Sequence, residues 1–297
     1  MAHSRDTLNS MLAKDPLTGP TRAERVNYAT GVMLSSEDFR DEQTYHRARL
    51  ATLLQNLVGH GTLAGLAVRT PAEEDNDLKL VIEPGVAIDR YGRLIEITEP
   101  WCIRLSKWFM AEATGNLRAA VHRKPRTSID VAVVADVFLG LADCGRGRTP
   151  SFAEGPFDAL DSLVPSRVAE QPNLELVLRA EGPPGDIPSP KNHWPGRTAS
   201  NENKLKSVLG SYSLGLHDGI AGELAPLNEH VTGRDPASVL LARIAMPVKI
   251  AADAPADERP KLDLTSRVQV DNSIRPFIWL PGKWLGSPPH KVPVGEP

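Results

Sequence analysis

The window SIDVAVVADVFLGLAD, residues 128 to 143, constrains this chain most. It is rich in Val, and its apolar run is too continuous for a hairpin with one face in water. It therefore predicts a central strand, buried on both faces. Asp130, Asp136 and Asp143 flank or interrupt the run. Their spacing could be drawn as a ligand set, but edge or turn positions on the strand account for them better.

Other windows carry the same kind of signal. TLAGLAV (62 to 68), LKLVIEPGVAID (78 to 89) and GRLIEIT (92 to 98) alternate or run apolar, and the acidic AEEDND stretch and the Asp-Arg-Tyr-Gly set between them are hairpin-type loops. Together they predict one small antiparallel sheet. Residues 101 to 125 are ambiguous: WCIRLSKWFMAEA (101 to 113) can be drawn as a short helix with Trp101, Leu105 and Trp108 on one face. Further strands are expected at NLELVLRAE (173 to 181), ASVLLARIAMPVKI (237 to 250) and SRVQVDNSIRPFIWL (266 to 280). There are 26 prolines among 297 residues, against a usual share of about 5%. They cluster in EGPPGDIPSPKNHWPGRTASNENK (181 to 204), which predicts a long loop, and in the last 17 residues, which predict an arm.

One stretch reads differently. In GVMLSSEDFRDEQTYHRARL, residues 31 to 50, Ser35 can cap a helix with Asp38 three residues on, a variant of the capping box. Apolar or semi-polar positions recur at Phe39, Gln43, His46, Leu50, Leu53, Leu54 and Leu57, the spacing of one helical face. Gly59 and Gly61 end it, giving about 23 residues and roughly 34 Å. The expected fold is thus mainly β with α+β character: an antiparallel sandwich- or barrel-like body, one long amphipathic helix near the N-terminus and extended arms at both ends. The parts are an arm over 1 to 27, the helix and hairpin region over 28 to 100, a β-rich body over 101 to 280, and a Pro-rich arm over 281 to 297.

Composition narrows the function. Lys plus Arg number 34 and Asp plus Glu 37, a formal charge of -3 that lacks the electrostatic footprint of nucleic-acid binding. Cys102 and Cys144 are far apart and in no ligand spacing, so neither a disulfide framework nor a zinc site is indicated. The N-terminus has no apolar signal region and no apolar run of about 18 residues occurs, so a cytoplasmic protein without a membrane span is expected. Hydrolase, phosphate-loop, dinucleotide and CXXC signatures are missing, so no catalytic residue, cofactor or metal is assigned. His46 with Glu42 and Asp38 could be drawn as a base with carboxylates, but no nucleophile or metal motif accompanies it, and a structural His on the sheet-facing side of the helix fits better. His60 reads as a helix-terminating loop residue, and the GRGR turn at 145 to 148 as a solvated loop. Near the C-terminus Phe277, Trp279 and Trp284 stand beside Pro276 and Pro281, which suits either a sugar-stacking surface or an anchor for a partner pocket.

A resemblance enters on particular residues. Tyr28, Gly31, Met33 and Leu34, then Glu37, Asp38, Phe39, Glu42, Gln43, Tyr45, His46 and Arg47, are followed by Gly59, Gly61, GLAV and the EPGVAIDRYGRLIEI hairpin. With ADVFLGLADC (135 to 144), VPSRVAEQPNLELVL (164 to 178), LLARI (240 to 244) and VDNSIRPFIW (270 to 279), this set resembles an uncharacterised family encoded among the baseplate and tail genes of phage-like contractile injection systems. The helix start is also similar to that of TssK-type adaptors of type VI secretion baseplates. The GRGRTPSF stretch is shorter than the corresponding family segment, and the N-terminal arm is peculiar to this chain.

The resemblance implies a structural part of a contractile particle, at the baseplate or where fibres attach. Its partners would be other tail and baseplate proteins and further copies of itself, and peripheral contact with an envelope is left open. No repeat in the chain sets the copy number. On this reading Phe39, Tyr45 and His46 fix the helix against the sheet. Arg40, Arg47, Arg49 and the arms, with Trp279 and Trp284, meet neighbours. The alternative reading is a surface- or glycan-binding module that uses the two Trp.

Overall fold

The computed structural model of the chain describes residues 15–19, 21, 23–71, 78–126, 129–147, 149–150, 163–180, 187–190, 200, 202–203, 224–251, 253–255, 257–276 and 278. Most of the 181 to 204 loop, the C-terminal arm, and Phe277, Trp279 and Trp284 lie outside the described residues. The fold is mainly β with a few helices, and its sheets are antiparallel.

The chain enters through a 3-10 turn, Pro16–Thr18, and then helix α1, Ser36–Leu57. Six short strands follow: β1 Gly61–Gly65, β2 Val68–Arg69, β3 Lys79–Ile82, β4 Gly85–Ile88, β5 Leu94–Ile97 and β6 Trp101–Arg104. Two short helices, α2 Leu105–Ala111 and α3 Thr114–Ala119, lead to β7 Val121–Arg126 and the long β8 Ile129–Arg146. The remainder is β9 Thr149–Pro150, β10 Leu163–Val164, β11 Arg167–Leu178, β12 Val239–Lys249, β13 Lys261–Leu262 and β14 Gln269–Asp271.

The expectation for the Val-rich window holds. β8 runs for 18 residues, about 60 Å of extended chain, and forms the middle of a six-stranded sheet. β11 pairs along one edge of it from Ala135 to Arg146, and β7 takes over that edge from Ile129 to Val133. β12 pairs along its other edge and carries β13 and β14 in turn. β11 begins at Arg167, six residues before the expected strand start, and includes Pro172 opposite Leu141. Pro172 has no N–H to donate, and it is accommodated because β11 is the outer strand of this order.

Both faces of β8 are covered, which explains its unbroken apolar run. Val133, Ala135, Val137 and Leu139 join the main core with residues of the small strands, of α2 and α3, and of β12. Ala132 and Val134 pack with Ile129, Ile187 and Ala245 on the opposite face, and Phe138 packs there with Val177 and Leu240.

Asp136 lies among these residues, not at the edge or turn expected for it. Its side chain is fully buried and is forked by Arg243, with Nε to Oδ1 at 2.7 Å and Nη2 to Oδ2 at 2.9 Å. The equally buried Arg179 stands 3.3 Å away. Arg179 also donates to the Glu229 carbonyl at 2.5 Å, and Arg243 donates to the Ile187 and Pro188 carbonyls. A buried carboxylate with two guanidiniums satisfies charge and geometry at once, and it ties the 187 to 190 segment to the sheet.

The small strands differ from expectation. They make two three-stranded sheets, β1-β4-β5 and β2-β3-β6, instead of one. β3 and β4 are separated only by Glu83 and Pro84, yet they belong to different sheets. The crossing depends on glycine: a Cβ on Gly85 would stand 2.4 Å from the Ala64 carbonyl oxygen and the Leu66 nitrogen. Gly65 opposite has φ +65, which a side chain rarely adopts. Trp101 is in β6 and so does not share a helical face with Leu105 and Trp108.

The VDNSIRP run staples these sheets to the central one. Asn272 mimics a strand backbone against Val68, accepting from its N–H at 2.9 Å and donating to its carbonyl at 2.8 Å. Thr62 pairs with Pro276 and Ile278 through backbone bonds, while buried Arg275 donates to the carbonyls of Leu241 and Gly65.

His230 is a pH-sensitive point in this frame. Its Nδ1 accepts from the Leu227 N–H at 3.1 Å, its Nε2 meets the Ser238 carbonyl at 3.0 Å, and its ring stacks on Phe138. Burial is the largest influence and holds the imidazole below its ordinary pKa. The folded protein then binds fewer protons than the unfolded chain once pH falls below about 6.5, so stability should drop with falling pH in that window. Urea midpoints at about pH 7 and pH 5.5 should differ in the wild type, and His230→Gln should flatten that difference.

Candidate functional site

Helix α1 is the element whose placement decides what this molecule offers to others. It starts as its sequence dictates. Ser35 Oγ accepts from the Asp38 N–H at 3.3 Å, and the Asp38 carboxylate accepts from the Ser35 N–H at 2.6 Å, a complete capping box. The Ser35 bonds hold the Asp38 carboxyl below its usual range. At the other end Gly59, with φ +81, returns its N–H to the Leu54 carbonyl.

One face of α1 is clamped to the body. Ala48 and Ala51 are buried with Leu17 of the N-terminal turn, and Gln55 donates to the Arg90 carbonyl at 2.8 Å. These small side chains allow a close approach to the Asp89–Arg93 turn between β4 and β5. Gly92 sits there at φ +78, and a Cβ would stand 2.0 Å from the Ala51 carbonyl oxygen. Gly92→Ala should therefore cost about 2 kcal/mol or more, since left-handed strain alone amounts to roughly 1–2 kcal/mol. The loss should be read in thermal unfolding and as faster amide exchange in α1.

Ion pairs complete the clamp. Asp89 accepts from the Tyr91 and Arg93 N–H groups at 2.9 Å each, and from Arg93 Nε at 2.7 Å. Arg93 Nη1 reaches the other way to Asp15 Oδ2 at 2.9 Å. Burial is the largest influence on the Asp89 carboxyl and raises its pKa, with the Arg93 charge opposing. Arg47 on the helix spans Asp15 at 3.3 Å and Glu170 of β11 at 2.9 Å. Asp143, opposite Glu170 in the ladder, is raised by partial burial and then by Asp15. The N-terminal turn, α1, the β4–β5 turn and the β8–β11 ribbon thus meet around Asp15.

The other face of α1 points outward. Phe39 is 53% exposed, Leu50 58%, Leu53 53% and Leu57 54%, and Gln43 is exposed between them. The His46 side chain is 70% exposed and bonds Glu42 at 2.9 Å. The apolar face read as core-directed is therefore the solvent face, and Phe39 and His46 do not fix the helix to the sheet. Tyr45 is half-buried, with Arg49 over its ring at 5.2 Å. Arg40 and Arg49 are exposed, as a surface role requires, whereas Arg47 is committed to the intramolecular clamp. Upstream, Tyr28, Val32, Met33 and Leu34 add further exposed apolar side chains.

Asp15, Asp89 and Arg93 were not singled out by sequence reasoning. The Asp-x-x-Gly turn was the available signal, because a turn that buries its own acid needs a cation beside it. Among the described residues no group of three or more His, Cys, Asp or Glu is arranged to hold a metal ion, and no helix is long and apolar enough to cross a membrane. Cys102 is exposed and Cys144 half-buried, both as free thiols.

No protein-family model and no curated protein matches this chain. Among solved structures, the crystal structure of TssK aligns with 83% of this chain and 42% of its own, at 14% identity and a TM-score of 0.30. The chain thus spans less than half the length of that TssK chain, and an overlap this loose carries no argument about fold or role.

Proposed function

We propose that this chain is a structural part of a phage-tail-like contractile particle, at or beside its baseplate, working through protein–protein contacts and without catalysis. The observation that supports this most is the outer face of α1. Four large apolar side chains, Phe39, Leu50, Leu53 and Leu57, stand in solvent on a helix whose other face is held by buried Ala48 and Ala51, by Gln55 and by the Arg47–Asp15 pair. A rigid helix with an exposed apolar stripe is the form of a docking element. The residues that carry the resemblance to the contractile-system family, from Tyr28 to Arg47 and through the Asp89–Arg93 turn, build this helix and its platform.

The test is affinity capture of the tagged protein from its native producer under gentle lysis, with mass spectrometry and negative-stain imaging. Sheath, tube and baseplate proteins should co-purify with a contractile particle; a protein recovered free of tail components would overturn the proposal. Arg40→Ala with Arg49→Ala should leave thermal stability within about 0.5 kcal/mol, as exposed charges do. The same pair should lower incorporation into particles.

A further inference from the structure

On one face of the β8–β11 ribbon two like charges meet. Asp143 lies directly opposite Glu170 in the ladder, a placement that brings Cβ atoms to about 5 Å and sets the two carboxylates against each other. The other charged groups that act on Asp143 come from each element at this joint: Asp15 from the N-terminal turn, Arg47 from α1 and Arg93 from the β4–β5 turn. Four carboxylates, Asp15, Asp89, Asp143 and Glu170, therefore share two guanidiniums, Arg47 and Arg93. Both cations are already committed. Arg93 bonds Asp89 and Asp15, and Arg47 bonds Asp15 and Glu170. Asp143 is left without one, and its Oδ1 is buried where no donor among the described residues reaches it.

We propose that Asp143 is a proton-operated latch on α1: a proton bound there tightens the joint of helix, N-terminal turn and ribbon, and its loss as pH rises loosens that joint. The neutral acid removes the charge that no cation answers, and its O–H turns an acceptor among acceptors into a donor. Partial burial is the largest influence raising the Asp143 carboxyl, and Asp15 is the next, with Arg47 opposing. An acid raised above its unfolded value of about 3.9 stabilises the closed joint below that value, and this contribution is lost as pH rises through the folded pKa. His230, at the central sheet, has the opposite sign. Asp89 has the same sign, raised by its own burial, so a substitution is needed to separate the two acids.

The test is native-state amide exchange of the full chain from about pH 4 to about pH 8, with the protection of α1 amides referred to that of β8 amides in the same sample. That reference removes the His230 contribution to global stability. Relative protection of α1 should fall as pH rises in the wild type. Asp143→Asn keeps the shape and is neutral throughout. At about pH 8 it should slow α1 opening by roughly two- to fivefold, the scale of one cross-strand like-charge pair. It should also flatten the pH dependence to the part that Asp89 supplies. Equal slopes in wild type and variant overturn the proposal, as does faster α1 opening in the variant at about pH 8. If circular dichroism shows that the amide disturbs the ribbon, Glu170→Gln gives the second reading. It removes the charge opposite Asp143 and should reduce the slope; an unaltered slope overturns the proposal. The measurement needs no partner, so its failure leaves the assembly reading untouched.

Discussion

Replacing Asp136 by alanine should destabilise the folded chain by about 3–5 kcal/mol, the cost of removing one partner from a buried charge network. The carboxylate is fully buried beside Arg179, also fully buried, and Arg243, which is largely so. Without it two guanidiniums face each other at close range in an apolar setting. The carbonyls of Glu229, Ile187 and Pro188 supply hydrogen bonds to them but no charge. Asp136→Asn keeps the shape and loses the charge, so it should also destabilise, by less. Guanidinium unfolding of the purified chain provides the measurement. A loss below about 1 kcal/mol for the alanine variant would mean that water or a shift of β12 relieves the site, and the network would then be a minor contributor.

Arg93→Ala should be comparably severe, again about 3–5 kcal/mol, because it strands the buried Asp89 and leaves the buried Asp15 with Arg47 as its remaining cation. Its second signature is in pH. Burial already raises the Asp89 carboxyl, and Arg93 is the charge that opposes the rise. Without Arg93 the folded pKa climbs further above the unfolded value of about 3.9. The folded variant then binds more protons than its unfolded chain between those two values, so its stability falls as pH rises through that window. The deficit relative to wild type should thus be smaller near pH 4 than near pH 7, read from urea unfolding at both. A pH-independent deficit would assign the loss to packing. Amide exchange adds a positional check: the 15 to 19 turn, and α1 through Arg47, should open before the central sheet, since Arg93 ties Asp15 to the body.

Much of this architecture was legible beforehand. Ser35 and Asp38 announce a capping box through chemistry confined to four residues, and the box is present. The Asp-Arg-Tyr-Gly set announces a turn for an equally local reason: Asp89 satisfies nearby N–H groups and Gly92 tolerates positive φ. The Val-rich window announces its own burial by leaving no polar face for water. The side of α1 that faces the body was not legible. A stripe of Phe and Leu at helical spacing is the same pattern whether it meets a core or another helix, and here the body is met by Ala48, Ala51 and Gln55 instead. Small side chains carry little apolar signal, yet they win the contact because the Gly92 turn must come within touching distance of the helix backbone.

Asp136 was misplaced for a related reason. An acid inside an apolar strand reads as an edge, since its compensating arginines lie at positions 179 and 243, on other strands or beyond them, and only the fold brings them together.

What the sequence by itself determined about this protein is therefore the set of local decisions: the helix and its cap, the hairpin turn, the long strand and the mainly β class. Each follows from backbone hydrogen bonding and periodicity within a few turns of chain. The tertiary structure alone decided which helix face is free, that residues 62 to 104 divide between two sheets, and that Asp15, Asp89 and Arg93 form one buried cluster. Those outcomes depend on steric closeness and charge desolvation between residues up to 78 positions apart, and no local pattern encodes them.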